Sequence, residues 1–504
     1  MHHWDTRHPP IAITGVAFRV PNVASGAGLA PGMWETLDGG RDVVGDGAFP
    51  ASRRAGLWHT ASPDAPYFTG NWFSGEDVSS FDAAFFGVRP VDAVAIEPEQ
   101  RMFSEVAWHA IEDAGLAGSV RGSKLGMFVG HSFNTYDKVL TKEVRRNAAT
   151  THGCHSPFVA GRPPFMFDMH GEASMVCTGC SSSLLAIHHA CRALQAGDVS
   201  AAVTGGAHLD LLPVSDKGAL WNRIGIAAEG VKCRPFGAEA GGICKGEGVA
   251  ALVLMRLEDA LAGGHHVYGV IRGSASNHDG YSNGIAAPNP DAQGDLLRES
   301  CAAAGITPAE LSYIEAHGTG TALGDPLEEL GIRKGCDGLA MPPGSIPVGS
   351  IKGNIGHAAD GAAGTFGVIK SLFCLAKDML PPSVGCTPRN PDIDWATSPV
   401  RVVAERESFP RPEGADRVVG VAAFGFTGTN VHLIISDPPA VEVPPPLWCP
   451  ATTGPAVIAL TALTPQSLAS LCEALAAFME SHPAVDVYQL AHTVSVRRGG
   501  IRGA

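Results

Sequence analysis

Cysteine and histidine in glycine-rich turns are where this sequence could do chemistry. In Cys177-Thr-Gly-Cys-Ser-Ser-Ser-Leu184 an apolar run breaks off at Gly179-Cys180, and Leu184, Leu185, Ile187, Cys191 and Leu194 then recur at roughly helical spacing. The pattern predicts strand, sharp turn and helix, with Cys180 at the helix mouth. Unpaired backbone N–H groups and the positive end of the helix dipole favour an anion there, which suits a thiolate nucleophile. A lone cysteine is more commonly a buried structural residue, so its company decides.

Two later stretches supply that company. Glu315-Ala-His-Gly-Thr-Gly-Thr-Ala-Leu-Gly-Asp-Pro-Leu-Glu328 leaves a strand and enters a helix, with Asp325 expected as N-cap, Pro326 as first helical residue and Glu328 reaching back. His317 then sits at a strand end. Lys352-Gly-Asn-Ile-Gly-His357 places a second histidine in a glycine-rich turn before a helix of small residues. Lys352 alone reads as a solvated charge as readily as a working one. Together, one thiol and two imidazoles make a nucleophile with two donors or bases, provided the fold brings them together. Cys177 and Cys180 also form a C-x-x-C pair, but no second such pair completes a zinc site, so no metal is expected. Gly318-Thr-Gly-Thr-Ala-Leu-Gly324 falls one place out of register for a dinucleotide loop.

The elements that must position these residues alternate along the chain. Strands are expected at Ile11–Phe18, Lys124–Gly130, Ala201–Gly205, Val249–Met255, Tyr268–Gly273, Leu311–Ala316, Ile346–Gly349 and Val418–Phe424, and helices near Met33–Leu37, across Glu97–Gly115 and across Ala292–Gly305. In the second helix Met102, Val106, Ala110 and Ile111 mark the apolar face. Apolar strands alternating with helices predict a layered α/β architecture. After Asp437 a proline-rich connector leads to a strand at Pro455–Thr464 and an amphipathic helix at Thr464–Ser481, a domain boundary.

Composition bounds the partners. With 504 residues, 45% hydrophobic and 17% charged, the chain has ample material for a large core. A formal net charge of −14 argues against nucleic acid or an anionic membrane as partner. No apolar stretch reaches membrane-spanning length and the start lacks a signal-peptide core, so a cytoplasmic protein is expected, with its 12 cysteines reduced.

Read in order, these strings resemble the β-ketoacyl synthase (condensing) domain of modular type I polyketide synthases, of the thiolase superfamily, across roughly residues 10–436. The resemblance rests on Cys177–Leu184, on Glu-Ala-His-Gly-Thr-Gly-Thr at 315–321 and on Lys-Gly-Asn-Ile-Gly-His at 352–357. Phe81–Pro90, Glu97-Pro-Glu-Gln-Arg101, Cys233–Phe236, Gly246–Gly248, Asn277–Gly280, Ala287–Asn289 and Phe424–Asn430 add to it. It implies a thiolase-like fold of two similar βαβαβαββ halves in a five-layer α-β-α-β-α core, paired as a homodimer. It further implies that Cys180 accepts an acyl chain from a carrier-protein phosphopantetheine. His317 and His357 would promote decarboxylation of a malonyl-type extender and hold the enolate, with Lys352 orienting them. Backbone N–H groups of Cys180 and Phe426 would form an oxyanion hole, and Phe424, Gly425, Phe426 and Thr427 a gate, with Cys177, Asn354 and Glu315 as secondary residues. No bound cofactor is implied; the partners are acyl carrier protein and other polyketide synthase domains, acyltransferase or linker.

Residues 1–9 then read as an N-terminal extension, 437–454 as the connector and 455–504 as the start of a ketosynthase-to-acyltransferase linker cut short in an excised fragment. The chain departs from the family's pattern at Cys177, where an aspartate is usual, at Gly179, where an alanine is, at Gly237 and Gly241, which often are aspartates, and at Thr427, where a glycine is. The rival reading on the same fold is a gatekeeping ketosynthase that takes acyl chains without extending them.

Overall fold

The computed structural model of the chain describes residues 9–54, 69–132, 135–212, 232–359, 361–440 and 455–497. The extension's residues 1–8 and the connector's 441–454 lie outside the described residues.

Two halves with the same strand order make the core. In the first, β1 (Ile11–Arg19), β2 (Leu125–Gly130), β3 (Ala173–Val176), β4 (Ala201–His208) and β5 (Gly248–Arg256) lie in the order β3-β2-β4-β5-β1. In the second, β6 (Gly269–His278), β7 (Tyr313–Glu315), β8 (Ile346–Gly349), β9 (Val418–Phe424) and β10 (Thr429–Ser436) lie in the order β8-β7-β9-β10-β6. Directions repeat as well: the first two pairings of each half are parallel and the last two antiparallel. A few residues of β1 and β6, Ile11 opposite Ile271 among them, join the two sheets. The duplication is thus visible in topology alone.

Helices fill three layers. α1 (Pro98–Asp113) and α2 (Phe158–Phe167) cover the outer face of the first sheet, and α4 (Pro290–Ala303) and α5 (Gly324–Gly335) that of the second. Between the sheets lie α3 (Ser182–Ala196) and α6 (Ala363–Lys377), packed on each other. Both middle helices are sheathed in protein, which explains why α6 carries buried residues along nearly its whole length, Phe366, Ile369, Leu372 and Phe373 among them. Their contact is close because Gly364 has no side chain: a Cβ there would stand 2.7 Å from Leu184 Cβ. This is the five-layer α-β-α-β-α arrangement the sequence led one to expect.

Differences from the sequence reading are local. The helix expected to begin with Asp325 as N-cap begins at Gly324, with Leu323 in the cap position and no side-chain cap bond. Asp325 is buried, accepting from the Phe236 and Gly320 amides, and Glu328 from those of His317 and Gly318, so both carboxylates serve tertiary contacts and not the helix end. No strand forms at 455–464, where no strand among the described residues pairs the backbone; a lone extended segment has no ladder to join. The helix after it, α7 (Pro465–Ser481), is present with Thr464 as N-cap. β10 was missed, although Val431, Leu433, Ile434 and Ile435 are all buried in it. β6 runs to His278, well past Gly273.

His432, on β10, shows the cost of this interior. Its Nδ1 is 2.7 Å from Ser300 Oγ, and burial holds its pKa down, to about 3. Below pH 6.5 the unfolded chain protonates this side chain and the folded one does not, so its contribution to stability falls as pH falls. The destabilisation caused by His432→Gln should therefore shrink, by up to about 1.4 kcal/mol per pH unit between pH 6 and 4, in urea unfolding followed by circular dichroism.

Candidate active site

Cys180 follows β3 through a turn in which Gly179 takes φ +67°, a backbone conformation natural to glycine. Ser182 Oγ accepts from the Thr178 amide at 2.9 Å and donates to Gly179 O at 2.6 Å, closing the turn against the first residue of α3. The thiol is thus held just ahead of a helix N-terminus, as expected. It is 7% exposed, which leaves it reachable through the cavity it borders.

The second half brings both histidines to it. Among the described residues, Cys180 Sγ and one ring nitrogen each of His317 and His357 lie within 4.8 Å of one another. His317 leaves β7 through a turn cradled by Glu328, whose two oxygens take the His317 and Gly318 amides at 2.7 and 2.8 Å. The His357 amide donates to Cys244 O at 2.8 Å, and its carbonyl accepts from Gly246 N at 3.0 Å, locking its backbone to the first half. The two rings stand nearly perpendicular, with centroids 5.7 Å apart. Neither ring nitrogen of His357, nor Nδ1 of His317, has a hydrogen-bond partner among the described residues. Burial, and then the nearby Lys352 charge, hold both imidazoles well below their usual range, so they are neutral at pH 7.

Lys352 opens a short helix, Lys352–Ile355, and is 5% exposed, which removes the solvated-charge reading. Burial lowers its pKa, while Glu315, Glu328 and Cys180 among its neighbours act the other way. Glu315 is the anchor of this region. Its carboxylate pairs with Lys370 of α6 at 2.8 Å, and it accepts from Tyr313 Oη and the Ile351 amide, each at 2.7 Å. One buried carboxylate therefore ties β7, α6 and the Lys352 helix together. Asn354 works at the helix's other end, its side-chain Nδ2 donating to Arg41 O and its backbone carbonyl accepting from the Val43 amide. Lys370 went unnoticed in the sequence, where it sits in an apolar helical stretch with no motif around it.

A cavity of about 380 Å³ is lined by Cys180, His317, His357, Phe424, Gly425, Phe426, Ile243 and Pro288 among others. The Phe424 ring lies against His317, with centroids 5.5 Å apart. The 424–427 turn touches the nucleophile turn: a Cβ on Gly425 would meet Thr178 O at 2.1 Å, and Thr427 Oγ1 donates to that same oxygen at 3.1 Å. A Cβ built on Gly179 would stand 3.7 Å from Phe426 N and within 3 Å of the Phe426 ring. Asp279 joins three sequence strings behind the cavity, accepting from Asn430 Nδ2 at 2.8 Å while its carbonyl takes Asn289 Nδ2 at 2.7 Å. Cys177 is exposed, with its sulfur 4.0 Å from Ser132 Oγ, and neither it nor Cys180 is in a disulfide among the described residues.

Comparisons with known proteins place the chain in a family. The family model of the β-ketoacyl synthase N-terminal domain matches residues 8–260, that of the C-terminal domain 268–387, and that of the ketoacyl-synthetase C-terminal extension 389–504. The chain belongs to the β-ketoacyl synthase family. Within this family its relatives are modular polyketide synthases. It is 38% identical to the spectinabilin polyketide synthase system protein NorC of Streptomyces orinoci, over 98% of this chain and 22% of NorC. It is 39% identical to erythronolide synthase EryA3 of Saccharopolyspora erythraea, over 86% of this chain and 14% of EryA3. The ketosynthase chain thus spans about a fifth or less of the length of these two relatives.

Solved ketosynthases share its fold. The module 6 ketosynthase of the bacillaene synthase of Bacillus subtilis 168 superimposes with a TM-score of 0.83 at 31% identity, covering 97% of this chain and 81% of that one. The oxazolomycin ketosynthase domain OzmH KS7 of Streptomyces albus JA3453 does so with 0.82 at 33%, covering 96% and 84%. The fold is thiolase-like, and ketosynthase domains of polyketide synthases are condensing enzymes of the acyltransferase type that use no bound cofactor, their acyl chains riding on carrier-protein phosphopantetheine. No helix among the described residues is long and apolar enough to cross a membrane.

Lys370→Met should leave the Glu315 carboxylate buried without its cation. A loss of about 3–5 kcal/mol in stability is expected, read as a lowered urea midpoint, because breaking a buried pair strands the remaining charge.

Proposed function

We propose that this chain is an elongating ketosynthase, which joins a Cys180-bound acyl group to a malonyl-type extender on acyl carrier protein with loss of carbon dioxide. The observation that carries this reading is the meeting of one thiol with two neutral imidazoles within 4.8 Å, at the wall of a cavity of about 380 Å³.

Cys180 Sγ attacks the carbonyl carbon of an acyl-phosphopantetheine thioester; the new thioester forms and the pantetheine thiol leaves carrying the proton. We assign the backbone N–H groups of Cys180 and Phe426 to the oxygen that becomes charged in that step, where fixed donors act most strongly. The extender then occupies the freed arm site. His317 and His357, neutral and with ring nitrogens available, donate to its thioester oxygen as the carboxylate departs as carbon dioxide, so charge collects on an enolate oxygen they hold. The enolate carbon attacks the Cys180 thioester, the thiolate leaves, and a β-ketoacyl thioester remains on the carrier. Lys352 tunes the imidazoles through its charge, and Glu315 and Glu328 fix the turns on which His317 and Lys352 stand. Phe424, Gly425, Phe426 and Thr427 gate the cavity.

The same reading assigns residues 10–436 to the condensing unit, 437–454 to a connector and 455–504 to the opening of a linker toward a further synthase domain. Among the described residues β3 ends the first sheet with no strand on its outer edge, and a second copy pairing there would set two Cys180 turns near a common interface. Acyl carrier protein is the partner the chemistry requires.

Intact-protein mass spectrometry separates extension from mere acyl holding. An acyl thioester should add one acyl group to the wild type and none to Cys180→Ala; persistent loading in that variant would overturn the nucleophile. Malonyl-loaded carrier protein should then strip the wild-type adduct and yield a β-ketoacyl carrier, whereas His317→Ala should load and stop. A wild-type adduct that stays in place would mean a gatekeeper. Thr427→Gly removes the hydroxyl tether to Thr178 O, a contact of about 1 kcal/mol, and should broaden the range of chain lengths accepted.

A further inference from the structure

Beyond the cavity, three ionisable side chains that the condensation does not use meet in the interior. Glu97 stands at the N-cap position of α1, Glu99 in its first turn, and His131 directly after β2. They are 0%, 3% and 1% exposed. One ligand atom from each lies within 4.8 Å of the others. His131 Nε2 is 3.9 Å from a Glu97 oxygen and Nδ1 is 3.8 Å from Glu99 Oε1, both beyond hydrogen-bond reach. Nδ1 also lies 3.4 Å from Ala207 O, which favours the proton on that nitrogen. Nε2 is then a bare lone pair, without a hydrogen-bond partner among the described residues, 3.9 Å from Glu97 Oε2, an oxygen that also takes Gln100 Nε2 at 3.5 Å.

Lone pair against oxygen, deep in the protein, repels unless something positive lies between them. The charges that act on Glu99 do not supply it: burial first, then the Glu97 carboxyl by charge and by hydrogen bond, and last the Glu247 carboxyl push its pKa well up, against the Leu209 amide that donates to Oε1 at 2.6 Å. Glu247 itself is already paired with Arg53 at 2.7 Å. Two atoms bound to one ion at about 2.0–2.2 Å stand about 3–4 Å apart, which Nε2 and Glu97 Oε2 do at 3.9 Å, with a Glu99 oxygen close enough, within 4.8 Å of both, to close on the same ion by a small shift. The helix N-terminus meanwhile favours the ionised carboxylates that such an ion needs.

We propose that Glu97, Glu99 and His131 bind one divalent cation of the zinc or manganese type, which pins the start of α1 to the ends of β2 and β4. The ligand set, one imidazole and two carboxylates, suits cations that accept nitrogen and oxygen alike. Ala207 O holds the ring by its Nδ1–H, the orienting role that a carbonyl plays behind many metal-bound histidines. Binding forms bonds from the metal to Glu97 oxygen, Glu99 oxygen and His131 Nε2, and the proton on the carboxyl pair leaves to solvent.

The test counts metal in the folded chain. Because Cys180, His317 and His357 also offer ligands, Cys180→Ala serves as the parent. It is produced in medium supplemented with Zn²⁺ or Mn²⁺, passed through size exclusion and assayed by inductively coupled plasma mass spectrometry. About one ion per chain is expected in the parent and less than about a tenth of that in Cys180→Ala carrying His131→Gln or Glu99→Gln, since removing a ligand costs more than the roughly 10–100-fold of an outer-shell loss. Glu99→Gln imitates the protonated carboxyl, so it should fold even where His131→Gln does not. Titrating metal-stripped parent in weak buffer at pH 7 should release about one proton per ion bound. No metal in the parent would overturn the site and leave a shared proton between the two glutamates. Equal metal in parent and variants would overturn it too, since the ion would then sit elsewhere.

Discussion

A carboxylate can be buried only where something repays its lost water, and the interior around this site is arranged by that demand. Glu315 meets Lys370, Tyr313 and the Ile351 amide, and Glu328 takes two successive amides from the turn that carries His317. Each arrangement has few geometric solutions. Satisfying the carboxylates therefore fixes the turns, and the turns fix the imidazoles. Burial pushes Glu328 up to about 7 against the pull of those amides, so its charge is delicately balanced beside the histidine it supports.

The halves divide the labour unevenly. Topology is repeated strand for strand, yet the thiol comes from the first half and both imidazoles from the second. Duplication supplies the geometry that makes this possible: in each half the third strand ends opposite the last residue of the second, Val176 opposite Gly130 before Cys180 and Gly349 opposite Glu315 before Lys352 and His357. Close approach then depends on residues without side chains, with Gly364 against Leu184 and Gly425 against Thr178 O. A single methyl group at either would separate the parts that must touch.

Much of this could be read in the sequence, and the failures share a cause. Cys180, His317 and His357 stand in turns rich in glycine, where local pattern and chemistry coincide, and the apolar strands announced themselves by β-branched runs. Asp325 and Glu328 were misread because a helix-start pattern looks the same whether its carboxylates serve the helix or a distant loop; burial decides between them, and burial is a property of the whole fold. Lys370 was invisible for the same reason, one cation inside an apolar helix whose partner lies 55 positions earlier in the chain. The strand expected after Pro455 had the right composition and no strand to pair with among the described residues.

The middle layer has a consequence for synthesis. α3 is complete once residue 196 has emerged, but its cover, α6, begins only at Ala363. At about 5–20 residues per second, that gap lasts roughly 10–30 s, during which Leu184, Ile187 and Leu194 have no α6 to lie against. For that interval the nascent chain carries an apolar helix with a thiol at its tip, and a chaperone's grip would be worth most there.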